Sequence, residues 1–148
     1  MIALLQRVTS AAVEIDGKQV AKISTGLLVL FAVQRNDSAK QADRLLQRLL
    51  AYRVFEDENG RMNRSVTDVE GELLLVPQFT LAADTGSGNR PSFTAAADPV
   101  EGKRWFDYFV GNLRVCHSKV QTGVFGADMQ VSLTNDGPVT FWLEVLPD

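Results

Sequence analysis

Leu27-Leu28-Val29-Leu30-Phe31-Ala32-Val33 is the stretch that decides the fold. Seven successive apolar residues are the length of a strand, and successive strand residues point to opposite faces. When both parities are apolar, neither face is left for water, so the run belongs inside a sheet covered on both sides. The flanking segments have to supply the cover.

Downstream, Ser38 followed by Gln41 is a capping-box signature. Ala42, Leu45, Leu46, Leu49 and Leu50 then recur at helical spacing, with Lys40, Asp43, Arg44, Gln47 and Arg48 opposite. A second helix opens with Asp98 as N-cap, Pro99 at the first helical position and Glu101 completing the cap. Trp105, Phe109 and Leu113 give that helix an apolar stripe. Upstream, Val13 and Ile15 flank Glu14, and Asp16-Gly17 marks a hairpin into Lys18–Ile23. Ser24-Thr25-Gly26 is a second turn. A short strand at Arg53–Phe55 precedes the turn Asp57-Glu58-Asn59-Gly60. Another strand, Glu72–Val76, stops at Pro77, and residues 82–92 form a polar, Gly-rich loop. Near the C-terminus Met129, Val131 and Leu133 alternate with Gln130, Ser132 and Thr134. After Asn135-Asp136-Gly137-Pro138 the alternation resumes with Val139, Phe141, Leu143 and Val145, which reads as two paired strands. There is no repeat, low-complexity segment or linker. Residues 1–148 read as a single α/β domain with a mixed, largely antiparallel sheet and two main helices packed on it.

Composition narrows the function classes. Fifteen basic against eighteen acidic residues give a net charge of −3, which argues against a broad basic nucleic-acid groove but not against a protein that grips the tip of an RNA. The one cysteine, Cys116, permits no intrachain disulfide and fits a reducing compartment. One cysteine and one histidine, His117, do not make a zinc site by themselves, and neither a metal nor a cofactor is expected. Arg7 interrupts the opening apolar residues too early for a signal peptide, and no run approaches the ~20 residues of a membrane helix. A cytoplasmic protein without membrane contact is the expectation.

Generic catalytic machinery is absent from the pattern. Cys116 and His117 are neighbours near a helix end, where their side chains diverge, so a mutual hydrogen bond is not expected. Cys116 reads as a small core residue and His117 as a solvated helix-end cation. Asp57 and Glu58 read as solvated turn residues and Asp84 as a loop cap. Gly86-Ser87-Gly88 lacks the strand–turn–helix context of a phosphate loop.

Two segments stand apart. Pro77-Gln78-Phe79-Thr80-Leu81 follows a buried strand, and the N–H groups of Phe79 and Thr80 have no obvious ladder partner; two adjacent free donors suit an oxyanion, or the strand simply bends into a loop. In Asn135-Asp136-Gly137-Pro138 the proline restricts the glycine and cannot donate to a ladder, which makes a simple Asp-Gly turn questionable.

The chain resembles the D-aminoacyl-tRNA deacylase family along its full length. The resemblance rests on IALLQRVTSAAV at 2–13, GLLVLFAV at 26–33, RMN at 61–63, PQFTLAADT at 77–85, RPSF at 90–93, QTGVFGADMQVSL at 121–133 and NDGPVTFW at 135–142. Each motif alone is weak; the ordered set is specific. The resemblance implies a three-layer deacylase-type fold and a homodimer. It also implies hydrolysis of the ester joining a D-amino acid, or glycine mischarged on tRNA-Ala, to the 3′ acceptor end of tRNA. The N–H groups of Phe79 and Thr80, in the Gln78-Phe79-Thr80 segment, would hold the ester oxygen. Gly137 and Pro138, joined by a cis peptide and lent by the partner subunit, would reject the L-form, with Arg7 orienting their carbonyls. Phe125 and Met129 would line the pocket of the terminal adenosine. The family's usual serine before Gln78 is Pro77 here, which removes a hydroxyl and a backbone donor. Two other readings share these motifs: an editing enzyme with a trans Gly-Pro that tolerates small L-residues, and a non-catalytic RNA or protein interaction module.

Overall fold

A computed structural model describes every residue from Met1 to Asp148. The opening strand β1 (Ile2–Ile15) turns at Asp16 and Gly17 into β2 (Lys18–Ile23). Both turn residues are left-handed, with φ of 51° and 77°, as a tight two-residue hairpin requires. Strand β3 (Gly26–Ala32) pairs antiparallel with the first half of β1, from Ile2↔Ala32 to Val8↔Gly26. Helix α1 (Ala39–Ala51) then crosses over, and a small hairpin of β4 (Phe55–Glu56) and β5 (Met62–Arg64) leads to β6 (Glu72–Pro77), parallel to β3. Helix α2 (Pro99–Cys116) returns the chain to β7 (Val120–Thr122), parallel to β6, and β8 (Gln130–Glu144) closes the sheet against β1.

The apolar run at 27–33 is buried on both faces. Leu27, Val29 and Phe31 face the helices, and so do Leu73 and Leu75 of β6; they join Leu45, Leu49, Phe109 and Leu113 in the larger core. The other parity, Leu28 with Leu74 and Val76, packs against Val8, Val13 and Ile23 of β1 and β2, which curl over the opposite face. Gly26 sits where a Cβ would lie 1.8 Å from the Glu72 carbonyl oxygen, so only glycine admits the close approach that starts the β3–β6 pair.

Both helices start where their caps place them. The Gln41 side chain accepts from the Ser38 N–H at 3.0 Å, and one Asp98 oxygen accepts from the Val100 and Glu101 N–H groups, each at 3.0 Å. On α1, Gln41, Ala42, Leu45, Leu46 and Leu49 are buried. On α2 the buried stripe is Phe106, Phe109, Val110 and Leu113, with Trp105 at its edge, because a helix turning 3.6 residues per turn brings i+3 as well as i+4 onto one face.

Three local expectations are corrected. The strand expected at Arg53–Phe55 runs instead over Phe55–Glu56; the Val54 carbonyl is taken by Arg7 Nη1 at 2.7 Å rather than by a ladder. The two C-terminal strands are one strand, β8, whose halves both pair with β1 and not with each other. Its register passes from Val8↔Asn135 to Gln6↔Thr140, so residues 136–139 bulge opposite Arg7 alone. Pro138 has no N–H to lose from the ladder there, and Asn135 Nδ2 closes the bulge by donating to the carbonyls of Arg7 and Val139, each at 3.0 Å. At the end of α2 the two side chains exchange roles: Cys116 is exposed and His117 is buried, its Nε2 2.7 Å from the Gly71 carbonyl oxygen. The chain leaves helical geometry at His117, with φ −143° and ψ 128°, which turns that ring inward.

No helix is long and apolar enough to cross a membrane.

Candidate active site

A cleft of ≈ 600 Å³ opens at the carboxyl ends of the parallel strands β3 and β6, where open α/β sheets usually hold ligands. Its floor is Phe31 and Phe106, with ring centroids 5.9 Å apart. One wall is residues 125–127 with Met129, and the other is Phe93 with residues 96–99.

The polar rim is built by the end of β6. Pro77 pairs with Phe31, and the Gln78 N–H extends the ladder by donating to the Phe31 carbonyl at 2.7 Å. The chain then winds into one 3-10 turn, Phe79–Ala82. Its first closing bonds run from Leu81 N–H to the Gln78 carbonyl at 3.2 Å and from Ala83 N–H to the Thr80 carbonyl at 3.1 Å. The N–H groups of Phe79 and Thr80 precede these bonds, so the turn gives them no acceptor. The Thr80 hydroxyl accepts from the Gln78 side-chain amide. Gln78 and Phe79 line the cleft; Thr80 is exposed beside it.

Phe125 and Met129 line the same cleft, and two glycines make their room. A Cβ on Gly102 would meet the Phe125 ring at 3.2 Å, and one on Gly123 would come within 2.7 Å of the Met129 sulfur. That sulfur also accepts from the Val124 N–H at 3.4 Å.

The cleft lining contains no Ser, Thr, Cys or His. Asp98 belongs to it, but that carboxylate is committed to capping α2. Asp84, in the adjoining loop, accepts from the Gly86 N–H at 2.8 Å, the capping role expected of it. Displaced protonation equilibria occur elsewhere. Burial lowers the pKa of the Met1 amino group and raises that of Asp37, although the two form an ion pair at 2.8 Å. Hydrogen bonds from Asn63 and the Arg61 backbone hold Asp57 low.

Arg7, Gly137 and Pro138 do not reach the cleft of their own chain. Arg7 is buried; besides Val54 it donates through Nε to the Asp136 carbonyl at 3.2 Å, the peptide immediately before Gly137. The Gly137-Pro138 bond is cis, and both residues are exposed on the bulge of β8. Of the eight residues given site roles from the sequence, the cleft gathers Gln78, Phe79, Phe125 and Met129, with Pro77 beside them, and leaves Arg7, Thr80, Gly137 and Pro138 outside its lining. Sequence reasoning missed the Phe31–Phe106 floor, Phe93 and the two space-making glycines. Gly102 had a legible signal, since glycine inside a helix costs up to about 1 kcal/mol and calls for a packing reason.

Comparison with known proteins bears on this geometry. The family described as D-Tyr-tRNA(Tyr) deacylase matches residues 4–144. A protein of Herminiimonas arsenicoxydans named D-aminoacyl-tRNA deacylase is 63% identical over 147 residues, covering 99% of each chain. One of the same name from Thioalkalivibrio sulfidiphilus is 61% identical with the same coverage. Among solved structures, one titled c-Myc DNA Unwinding Element Binding Protein superposes with a TM-score of 0.95 at 38% identity over 99% of both chains. A probable eukaryotic D-amino acid tRNA deacylase shares the fold, with a TM-score of 0.83 at 18% identity over 97% of this chain and 98% of its own.

Fold and relatives together define the class: mixed-sheet α/β hydrolases. Within that class the chain belongs to the D-aminoacyl-tRNA deacylase family.

Proposed function

We propose that residues 1–148 act as a single cytoplasmic domain, in a homodimer, that hydrolyses the ester of D-aminoacyl-tRNA, and of glycyl-tRNA mischarged on tRNA-Ala, while sparing L-aminoacyl-tRNA. One observation carries the reading: Gln78, Phe79, Phe125 and Met129 share one cleft, while the exposed Gly137–Pro138 pair stands outside it.

In this reading the terminal adenosine lies between Phe125 and Met129, and the ester oxygen meets the N–H groups of Phe79 and Thr80. Donors fixed in this way stabilise a developing oxyanion by about 3 kcal/mol each when water is excluded. The Thr80 hydroxyl has no base beside it; it faces the Gln78 amide, which donates and does not remove a proton. The attacking water is served by the substrate's own 2′-hydroxyl, which accounts for a cleft without a side-chain base. Gly137 and Pro138 enter the partner's cleft, where their carbonyls hold the amino group and occupy the place of an L side chain. A D side chain points away, and glycine has none to exclude. Arg7 holds the base of that loop through the Asp136 carbonyl. The geometry of β8 supports the dimer: it pairs on one edge only, with β1, and Trp142 and Leu133 on it are 48% and 37% exposed. An uncovered strand edge of this length is a site for association.

The test is paired turnover of D-Tyr-tRNA and L-Tyr-tRNA by the purified protein. Release of D-tyrosine with little release of L-tyrosine is expected; equal rates reject the reading.

A further inference from the structure

We propose that Phe79 and Phe93 form a stacking platform for the unpaired base preceding the terminal adenosine, with Arg35 serving the phosphate that joins the two nucleotides. This rests on the cleft being the seat of the aminoacylated 3′ end.

The two rings are 5.1 Å apart, tilted by 53°, and both line the cleft. They are 57% and 40% exposed, an unusual investment of apolar surface at a functional rim. The segment bearing Phe93 is framed by main-chain bonds. Asp84 and Ser92 exchange N–H···O bonds at 2.7 and 3.0 Å, and Ala96 N–H closes onto the Phe93 carbonyl at 3.1 Å. Arg35 N–H donates to the Ala95 carbonyl at 2.8 Å, which ties that residue to the same wall. Arg35 lines the cleft, is exposed and has no carboxylate within ion-pairing distance, in a chain of net charge −3.

A cleft of ≈ 600 Å³ takes one nucleoside with its aminoacyl group. The preceding nucleotide then has to lie at the rim. A base offers a flat π-face to exposed phenyl rings and gains from stacking without base-specific hydrogen bonds. The phosphate that joins it to the adenosine explains an unpaired cation lining the same cleft, which an apolar protein segment would not need.

The experiment compares dissociation constants of two non-hydrolysable probes. One is D-tyrosine amide-linked to 3′-amino-adenosine; the other carries a cytidine joined to the same adenosine through its 5′ phosphate. The dinucleotide is expected to bind about tenfold more tightly. Phe93→Ala is expected to shrink that ratio to near one, and Phe93→Trp to keep it. Arg35→Ala should flatten the salt dependence of the dinucleotide by about 0.7 in log–log slope. Equal affinities in the wild-type protein, or a ratio that survives Phe93→Ala, overturns the platform. So does a Phe93→Ala protein that dissociates into monomers more readily yet keeps the ratio, because the rings would then serve a second copy of the chain. Binding of the probes does not depend on turnover, so a failure of the deacylase reading is seen separately in the D- and L-Tyr-tRNA assay.

Discussion

At Thr80 the hydroxyl and the backbone make opposite predictions. If the N–H is the working group, Thr80→Ala keeps the donor and loses only the bond from the Gln78 amide. Its kcat/KM on D-Tyr-tRNA should then stay within about tenfold of wild type, whereas removal of a true nucleophile costs many orders of magnitude. A folded Thr80→Ala protein with no activity would establish the hydroxyl as nucleophile. His117 tests stability at the same scale. Removing its ring leaves the Gly71 carbonyl unpaired in a buried place, so His117→Ala should lower unfolding free energy by about 1–3 kcal/mol in urea titrations. Cys116→Ser, exposed, should shift it by less than about 0.5 kcal/mol. The sequence shows why this pair misleads. Composition ranks cysteine among the most buried residues and histidine as intermediate, and only the fold reveals that β6 begins beside the end of α2 with a carbonyl in need of a donor.

At the scale of elements, periodicity made the helices, the β1–β2 hairpin and the doubly buried β3 legible, because each carries its own repeat and caps. The C-terminal strand was less legible: its alternation is local, but its partner, β1, lies more than a hundred residues away, so a bulge and a hairpin give the same pattern. The cleft is likewise built from residues far apart in sequence. Phe31 reads as core and Phe106 falls outside the expected stripe of Trp105, Phe109 and Leu113; their role as a floor depends on α2 crossing the end of β3. Gly102 joins the two levels. Gly102→Ala should gain roughly 0.5–1 kcal/mol of helix propensity, offset by the 3.2 Å approach to the Phe125 ring. Net stability therefore stays near wild type, while the displaced ring narrows the cleft and KM rises more than kcat falls. Phe125→Ala removes an adenosine contact and should raise KM by itself, but in the double variant the two increases should combine to less than their product, because the contact at Gly102 is gone. Increases that multiply would show that the two residues are uncoupled.

Over the whole molecule, response to acid follows from where the displaced carboxyls sit. Asp57, Glu58 and Asp68 are held below their ordinary values of 3.8, 4.5 and 3.8 by hydrogen bonds, chiefly from Asn63, the Glu58 backbone and the Ser65 backbone. A carboxyl with a lowered folded pKa contributes stability above its unfolded pKa and loses it as pH falls through the folded one. Asp37 has the opposite sign, because burial raises its pKa and protonation on acidification relieves that cost. The lowered pKa of the Met1 amino group acts in the same sense as the three carboxyls, nearer neutrality, so with four groups against one the urea midpoint should decline on acidification, most steeply below about pH 5. The decline should be shallower in Asp57→Asn. A midpoint that rises on acidification would mean that the buried Asp37 dominates.

The proposed dimer would be the largest structure on which the chemistry depends, and it admits a test that binding data alone do not. One chain holds Gln78, Phe79, Phe125 and Met129 at its cleft and presents Gly137 and Pro138 elsewhere. In the proposed dimer two lesions would therefore fall in different halves of a shared site. Ala97→Trp fills the cleft from its wall. Gly137→Ala disturbs the lent loop, since a Cβ at that φ of +134° would lie 2.6 Å from the Val139 side chain. Each homodimer should be inactive on D-Tyr-tRNA. In a heterodimer isolated through two different tags, one cleft carries both lesions and the other carries neither. Turnover should return to about half the wild-type value per dimer, as two-fold symmetry dictates. If each site were completed within one chain, both clefts of the heterodimer would remain defective and no activity would return. Recovered activity that also excludes L-Tyr-tRNA would assign both catalysis and stereoselection to the interface.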